Sequence, residues 1–318
     1  MSVLEQPVFK PGVLSPIGIG LAAADLRLNA SIDHARFGTG WSVDDRCGSV
    51  GLGELALMWA RSSAGKSTWY LNVIRNTPEV PTLVVNMEMT PRRQVEWLVS
   101  MTYDMEVAGR EIEEVLRWGA DDPRFSELVA GLDQLQETYQ HLHFVNPSRP
   151  AIADISVMLN DIEDSTGTRP VRVFVDHVGL LADAMDYRGY DKTISELHSL
   201  AQHDNLSVIA LQQVGRGGGE GGVRNDGHMP ITLSSGVFTG EQHADWVFGL
   251  YRPDRNPKYK KDRYSFANPE DYWKMRSEYD GLRGQSILQL VKNRPFSELC
   301  EDGITLRFDP HTRRLEEF

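Results

Sequence analysis

Ala60-Arg61-Ser62-Ser63-Ala64-Gly65-Lys66-Ser67-Thr68 is the stretch whose reading decides the fold. Leu55-Ala56-Leu57-Met58-Trp59 precedes it, an unbroken apolar run of the kind that forms a buried strand. Trp69-Tyr70-Leu71-Asn72-Val73-Ile74 follows, with apolar positions at helical spacing. A strand, a loop of small residues and Gly-Lys-Ser at a helix start form a phosphate-binding loop. Successive backbone N–H groups and the positive end of the helix dipole converge there on a polyphosphate. Lys66 then reaches the β- and γ-phosphates, and the Ser67 hydroxyl is placed to ligate Mg²⁺. Ala60 stands where the first glycine of such a loop is usual. The alternative is an ordinary strand–turn–helix corner, which leaves Gly-Lys-Ser-Thr at that joint without a purpose.

Outward from this loop, strands and helices alternate. Thr82–Asn86 reads as a strand, and Pro91–Tyr103 as a helix with Thr90 as N-cap and Pro91 at its first position. Glu111–Trp118 and Arg124–Tyr139 read as helices, His141–Val145 as a short strand, and Ala151–Ser165 as a helix with one apolar face. Val171–Asp176 and Ser207–Leu211 are further strands, with a helix over Thr193–His203 between them. Trp246–Tyr251 and Ser286–Lys292 read as later strands, and Thr305–Phe308 as part of an edge hairpin. The class is therefore α/β, with a mostly parallel central sheet flanked by helices. Gly215–Gly222 is too glycine-rich for a packed element, and Arg255–Gly284 is a basic, tyrosine-rich insertion with some helix around Pro269–Tyr279. Residues 1–45, with a short helix over Gly20–Ala30, read as a partner-docking arm or a loosely attached leader ahead of a motor domain at 46–318.

Composition narrows the classes. The chain has 318 residues, 41% hydrophobic and 25% charged, the balance of a soluble globular protein. No apolar run approaches bilayer-spanning length, the first residues lack a signal-peptide pattern, and Cys47 and Cys300 form no C-x-x-C pair. The expectation is a cytoplasmic protein with no membrane segment and no structural metal site. A net charge of −12 excludes coating DNA through the whole surface, yet permits basic loops lining a channel.

Hydrolysis of a bound nucleotide needs metal support, an oriented water and charge neutralisation at the γ-phosphate. Asp176 ends an apolar strand, the Walker B arrangement, where a carboxylate supports Mg²⁺; a helix-capping Asp is the bland alternative. Glu88, just past the strand ending at Asn86, is placed to take a proton from the attacking water, or else only to face a helix N-terminus. Gln213 and Gln212 compete to sense the γ-phosphate. Lys292 and Arg294, at i and i+2, point the same way and reach a single phosphate, unless they form a solvated basic edge.

With these residues in hand, the chain resembles the C-terminal motor domain of DnaB-type replicative helicases, within the RecA-like ATPases, from about Phe37 to its end. Ala60–Thr68 is similar to that family's phosphate loop, where alanine also occupies the first position. Asn86-Met87-Glu88-Met89 resembles the segment with the catalytic Glu, and Phe174–Leu181 the Walker B strand, with His177 where the family usually has Tyr. Ala210–Arg216 resembles the sensor segment and aligns Gln213 with the sensor; Ser234–Asp245 is similar to the segment before the next strand. Lys292-Asn293-Arg294 matches the Lys-x-Arg pair inserted into a neighbouring subunit's site.

The resemblance implies an ATP- and Mg²⁺-dependent RecA-like P-loop ATPase. It would form a homo-oligomer, expected to be a hexameric ring, translocating on single-stranded DNA in replication, with loader or replisome proteins as partners. Rim loops Asp183–Lys192 and Gly215–Gly236 are expected to face the pore, with Arg188, Lys192, Arg216 and Arg224 on DNA phosphates; Lys258, Lys260, Lys261 and Arg263 are the alternative path. Two departures stand out. The family's helical N-terminal domain, which often engages primase, has no room in residues 1–45, and the insertion is longer than expected. Several phage and plasmid helicases are similarly compact. The rival functions are a recombinase-like or accessory DNA-dependent ATPase, and a nucleotide-gated loader or scaffold.

Overall fold

Leu55–Ala60 (β1) is buried at all six positions, as an apolar run must be when helices cover both faces of its sheet. The computed structural model describes residues 36–103, 111–184, 187–214, 228–233 and 240–318. The other strands of its sheet are Thr82–Asn86 (β2), Leu142–Val145 (β3), Arg172–Asp176 (β4), Ser207–Gln213 (β5), Trp246–Tyr251 (β6), Gln285–Asn293 (β7), Cys300–Phe308 (β8) and Leu315–Glu317 (β9). Within the unit Phe37–Phe318 they form one nine-stranded sheet in the order β9-β8-β7-β6-β1-β5-β4-β2-β3. The six strands from β6 to β3 run parallel, and β7 to β9 close one edge antiparallel.

Period-two alternation divides each strand between two cores. On one face Ala56, Met58 and Ala60, Val84, Phe174, and Ile209 with Leu211 pack under helices Lys66–Asn76 (α2), Pro91–Tyr103 (α3) and Phe125–Thr138 (α5). Trp69 of α2 meets the Phe174 ring edge-on at 6.4 Å, and Tyr70 lies 5.4 Å from it. On the other face Leu55, Leu57 and Trp59, Val173, Val175, Val208 and Ala210 pack against Ile152–Thr166 (α6) and Tyr187–Asp204 (α7). Val43–Cys47 (α1) and Glu111–Trp118 (α4) complete the helices up to β6 among the described residues.

Among the described residues the expected strands and helices are present; three differ markedly in extent, and one further helix was not expected. The helix expected to start at Thr193 begins at Tyr187, so Arg188 and Lys192 sit on helical turns rather than on a rim loop. Tyr190, Ile194, Leu197 and Ala201 form its buried stripe, and Lys192 pairs with Glu196 one turn on at 3.2 Å. β5 continues past Leu211 to Gln213 because Ala60 still pairs with it. β8 begins at Cys300, well before Thr305, across a register shift. α1 was not expected; the Asp44 carboxylate gathers the N–H groups of Thr39 at 2.7 Å and Gly40 at 2.8 Å.

The insertion is ordered into short 3-10 turns followed by Pro269–Leu282 (α8). Tyr259 lies against Tyr279 at 5.4 Å and donates to Glu278 at 2.9 Å. The expected helix Gly20–Ala30 and the Gly215–Gly222 stretch lie outside the described residues. Among those described, no helix is long and apolar enough to cross a membrane.

Candidate active site

The same alternation that builds the cores decides which strand-end side chains meet. Asn86, Asp176 and Gln213 share parity with Val84, Phe174 and Leu211, so all three face α2. The phosphate loop turns into that helix through Ser63 at φ 60° and Gly65 at φ 106°. Gly65 adopts a backbone conformation that side chains resist, and it caps α2 without a side-chain acceptor. The first turn of α2 carries no carboxylate, so its positive dipole end is left for an anion.

Behind the loop lies a chain of buried polar contacts. Ser67 Oγ donates to Asp176 Oδ2 at 2.7 Å, and Asn86 Nδ2 donates to the same oxygen at 3.1 Å. Asn86 Nδ2 also reaches the Tyr70 hydroxyl at 2.9 Å, which donates to Gln94 Oε1 at 2.8 Å. Asn86 Oδ1 accepts the backbone N–H groups of Glu88 and Met89 at 2.8 and 2.6 Å. One buried amide thus holds both the Asp176 carboxylate and the turn presenting Glu88. Burial pushes the Asp176 carboxyl above its usual range, against the opposing Ser67 bond and Lys66 charge. Burial also pushes the Lys66 ammonium down, while Asp176 and Glu88 oppose the shift. Asp176 Oδ1 is buried with no partner, a state that costs free energy unless a donor or a cation meets it. A carboxylate oxygen so placed beside a serine hydroxyl suits a hydrated Mg²⁺, which takes oxygen ligands and keeps its waters.

Glu88 lies half exposed at the rim, its Oε1 3.2 Å from His177 Nε2. Gln213 donates through its side-chain amide to the Ser62 hydroxyl in the phosphate loop. Gln212, of opposite parity, is buried and accepts from Trp59 Nε1 at 2.6 Å. Of the two competing glutamines, Gln213 is therefore the one that reaches the Ala60–Thr68 loop. Arg61 runs beneath the loop to donate to the Met229 carbonyl at 3.0 Å.

A cavity of about 430 Å³ leads from Lys66 and Glu88 to Arg252, Phe308 and Arg313. Its far end is aromatic and cationic, with Arg313 3.9 Å over Trp97 and Arg252 5.1 Å over Phe308. Sequence reasoning missed these four, which come from distant segments. It also missed the tie from His177 to Glu88; the one available signal was His177's place directly after the Walker B Asp.

Lys292 and Arg294 lie elsewhere. Asn293 pairs with Trp246 at the start of β6, and Asp245 just before it accepts the Leu55 N–H at 3.0 Å. Arg294 donates to Asp245 Oδ1 at 3.0 Å and to the Gln242 carbonyl at 2.8 Å. Lys292 donates to the Glu241 carbonyl, so both cations reach the same turn, as their spacing requires. That turn is at the entry of β1, whereas the phosphate loop is at its exit, roughly 17 Å along the strand. The described part of α7 carries Arg188 and Lys192 exposed at its start; Arg216 and Arg224 lie outside the described residues.

The two glutamines separate in experiment. Gln212→Ala is expected to lower the melting temperature, because the buried Trp59 N–H loses its acceptor at a cost of ~1–3 kcal/mol. Gln213→Ala is expected to leave the melting temperature unchanged and to lower ATP turnover. The reverse pattern, read by calorimetry and steady-state kinetics, would exchange their roles.

A parallel sheet with a phosphate loop after its central strand and a Walker B carboxylate two strands away defines a RecA-like P-loop ATPase. The model of the DnaB-like helicase C-terminal domain family matches residues 39–310, and the chain belongs to that family. It is accordingly an ATP-hydrolysing enzyme of the replicative-helicase class. Among solved structures, it is similar to the ATPase domain of G40P, with a TM-score of 0.71 and 17% identity over 94% of this chain and 98% of that one. It is also similar to a DnaB-like replicative helicase whose structure was described with its interactions with primase. There the TM-score is 0.64 and the identity 17%, over 93% of this chain and 66% of that one. At that identity the likeness is one of fold. A search of curated protein sequences finds no match.

Proposed function

We propose that the protein is a ring-forming motor that hydrolyses ATP at the interfaces between its copies and moves along single-stranded DNA in replication. The observation that carries this reading is the separation of the phosphate loop from Arg294, at opposite ends of β1. A single chain has the binding half of a hydrolytic site at one end and a cationic finger at the other. Copies arranged head to tail bring the two together, and such a heterologous contact closes into a ring when the rotation allows.

Lys66 and the loop amides hold the phosphates of ATP, and Ser67 and Asp176 would hold Mg²⁺. That ion, when bound, supplies neutralisation of the charge between the phosphates. Glu88 takes a proton from water as the water oxygen bonds to the γ-phosphorus. The bond from that phosphorus to the β–γ bridging oxygen breaks, giving ADP and inorganic phosphate. Gln213 reads the γ-phosphate and lies at the start of the segment leading to Arg216 and Arg224. Lys292 and Arg294 complete a neighbour's site. Loader or other replisome proteins are the partners that a replication role requires.

The reading is tested by ATP turnover with and without single-stranded DNA, beside sizing with a non-hydrolysable analogue. Stimulated turnover by a closed ring is expected, together with unwinding of a tailed fork. DNA-stimulated turnover by an open filament without unwinding would make the protein recombinase-like, and turnover indifferent to DNA would make it a nucleotide-gated scaffold. Substituting Arg216 and Arg224 together should weaken single-strand binding and flatten its salt dependence, by ~0.7 in log–log slope for each phosphate no longer neutralised. An unchanged slope would move the DNA path to Lys258, Lys260, Lys261 and Arg263.

A further inference from the structure

We infer that His177 is a positioning residue for Glu88, holding the base through a ring tautomer that the Gly179 backbone selects. The inference rests on the reading of Glu88 as the base of hydrolysis. His177 follows Asp176 at the exit of β4 and caps the short turn Val178–Leu180. The Gly179 N–H donates to His177 Nδ1 at 3.1 Å. A ring nitrogen that accepts carries no hydrogen, so the proton of the neutral imidazole is assigned to Nε2. Nε2 lies 3.2 Å from Glu88 Oε1 and therefore donates to it.

Gly179 is built for this contact. A Cβ there would stand 3.0 Å from His177 Cε1 and 3.2 Å from Nδ1, so a side chain would crowd the ring that its N–H must approach. The two partners are unequally held: the His177 side chain is 16% exposed and that of Glu88 50%. The ring is the fixed member, and the carboxylate is the one that needs orienting. Among the described residues, the carboxylate within ion-pair distance of Nε2 is that of Glu88, while Asp176 Oδ2 accepts from Ser67 and Asn86.

The arrangement suits a base. A donor on Oε1 fixes the plane of the carboxylate and leaves Oε2 to take the water's proton. The expected effect is on the chemical step alone, since the polar partners of His177 are Gly179 and Glu88 rather than the phosphate loop.

Two isosteric replacements divide the ring's contacts. In His177→Asn the side-chain oxygen stands where Nδ1 was and keeps the Gly179 bond, but the side chain is too short to reach Glu88. In His177→Gln the amide N–H takes the place of Nε2 and still donates to Glu88. His177→Asn is expected to lower kcat for ATP by about 10–10²-fold, the scale of a misplaced reacting group, with KM and the melting temperature unchanged. His177→Gln should recover most of the rate. In a Glu88→Gln background, His177→Asn should cost nothing further. Wild-type kcat in His177→Asn, a Gln variant no better than Asn, or an undiminished loss in the Glu88→Gln background would each overturn the inference. Glu88→Gln turning over at the wild-type rate would instead overturn the reading of Glu88 itself.

Discussion

Arg294→Ala purified alone is expected to bind ATP and to hydrolyse it ~10³–10⁵-fold more slowly than the wild-type protein, the contribution of an arginine at a transferring phosphoryl group. Mixing it with Lys66→Ala, itself inactive because it cannot hold nucleotide, is expected to restore activity. At some interfaces the intact phosphate loop of an Arg294→Ala copy then meets the intact finger of a Lys66→Ala copy. The geometry makes this a demanding test. Arg294 is tied to Asp245 and Gln242 at the entry of β1, and the loop it would serve in its own chain is at the exit. Full activity in Arg294→Ala would make it a surface cation bound to Asp245 and nothing more. Absence of rescue after reassembly would place the stabilising charge within the chain and remove the reason for a ring. A fall in melting temperature is a separate and smaller matter, because an ion pair with Arg294 half exposed contributes at most ~1 kcal/mol.

Glu88→Gln is the second large effect. It is expected to bind ATP with wild-type affinity and to lose ~10²–10⁴-fold in turnover, the usual weight of a general base. Gln preserves the volume and an oxygen that His177 Nε2 reaches, and removes the capacity to take a proton. Lys66→Ala should differ in kind by losing ATP binding, so equilibrium binding of a fluorescent ATP analogue separates the two. Near wild-type turnover in Glu88→Gln would assign the base elsewhere.

Much of this protein is local in origin and was readable from residues alone. The phosphate loop, the strands β1, β2, β4 and β6, and helix α3, where the Thr90 hydroxyl accepts from the Arg93 N–H at 3.4 Å, follow from short-range rules. Uninterrupted apolar runs require two covered faces, Gly-Lys-Ser at a helix start requires an anion, and Pro91 suits a first helical turn. Even the choice of Gln213 over Gln212 was latent in strand parity, because Val208 and Ala210 put Gln212 on the Trp59 side. What concealed it was the strand's end, expected at Leu211 and extended to Gln213 by pairing with Ala60. The start of α7 was hidden similarly: Tyr190 looks like a polar rim residue until the sheet beneath buries it.

Tertiary structure alone decided the rest. Asn86 binding Asp176 across 90 residues, Trp97 meeting Arg313, and His177 reaching Glu88 have no local signature, because each joins side chains brought together by neighbouring strands or by the antiparallel edge. The placement of Lys292 and Arg294 is the plainest case. Their spacing requires them to point the same way, and sequence carries that. The direction in which β7 runs beside β6 sets them at the end of the sheet away from the Ala60–Thr68 loop, and strand direction is a property of the assembled sheet, not of the strand.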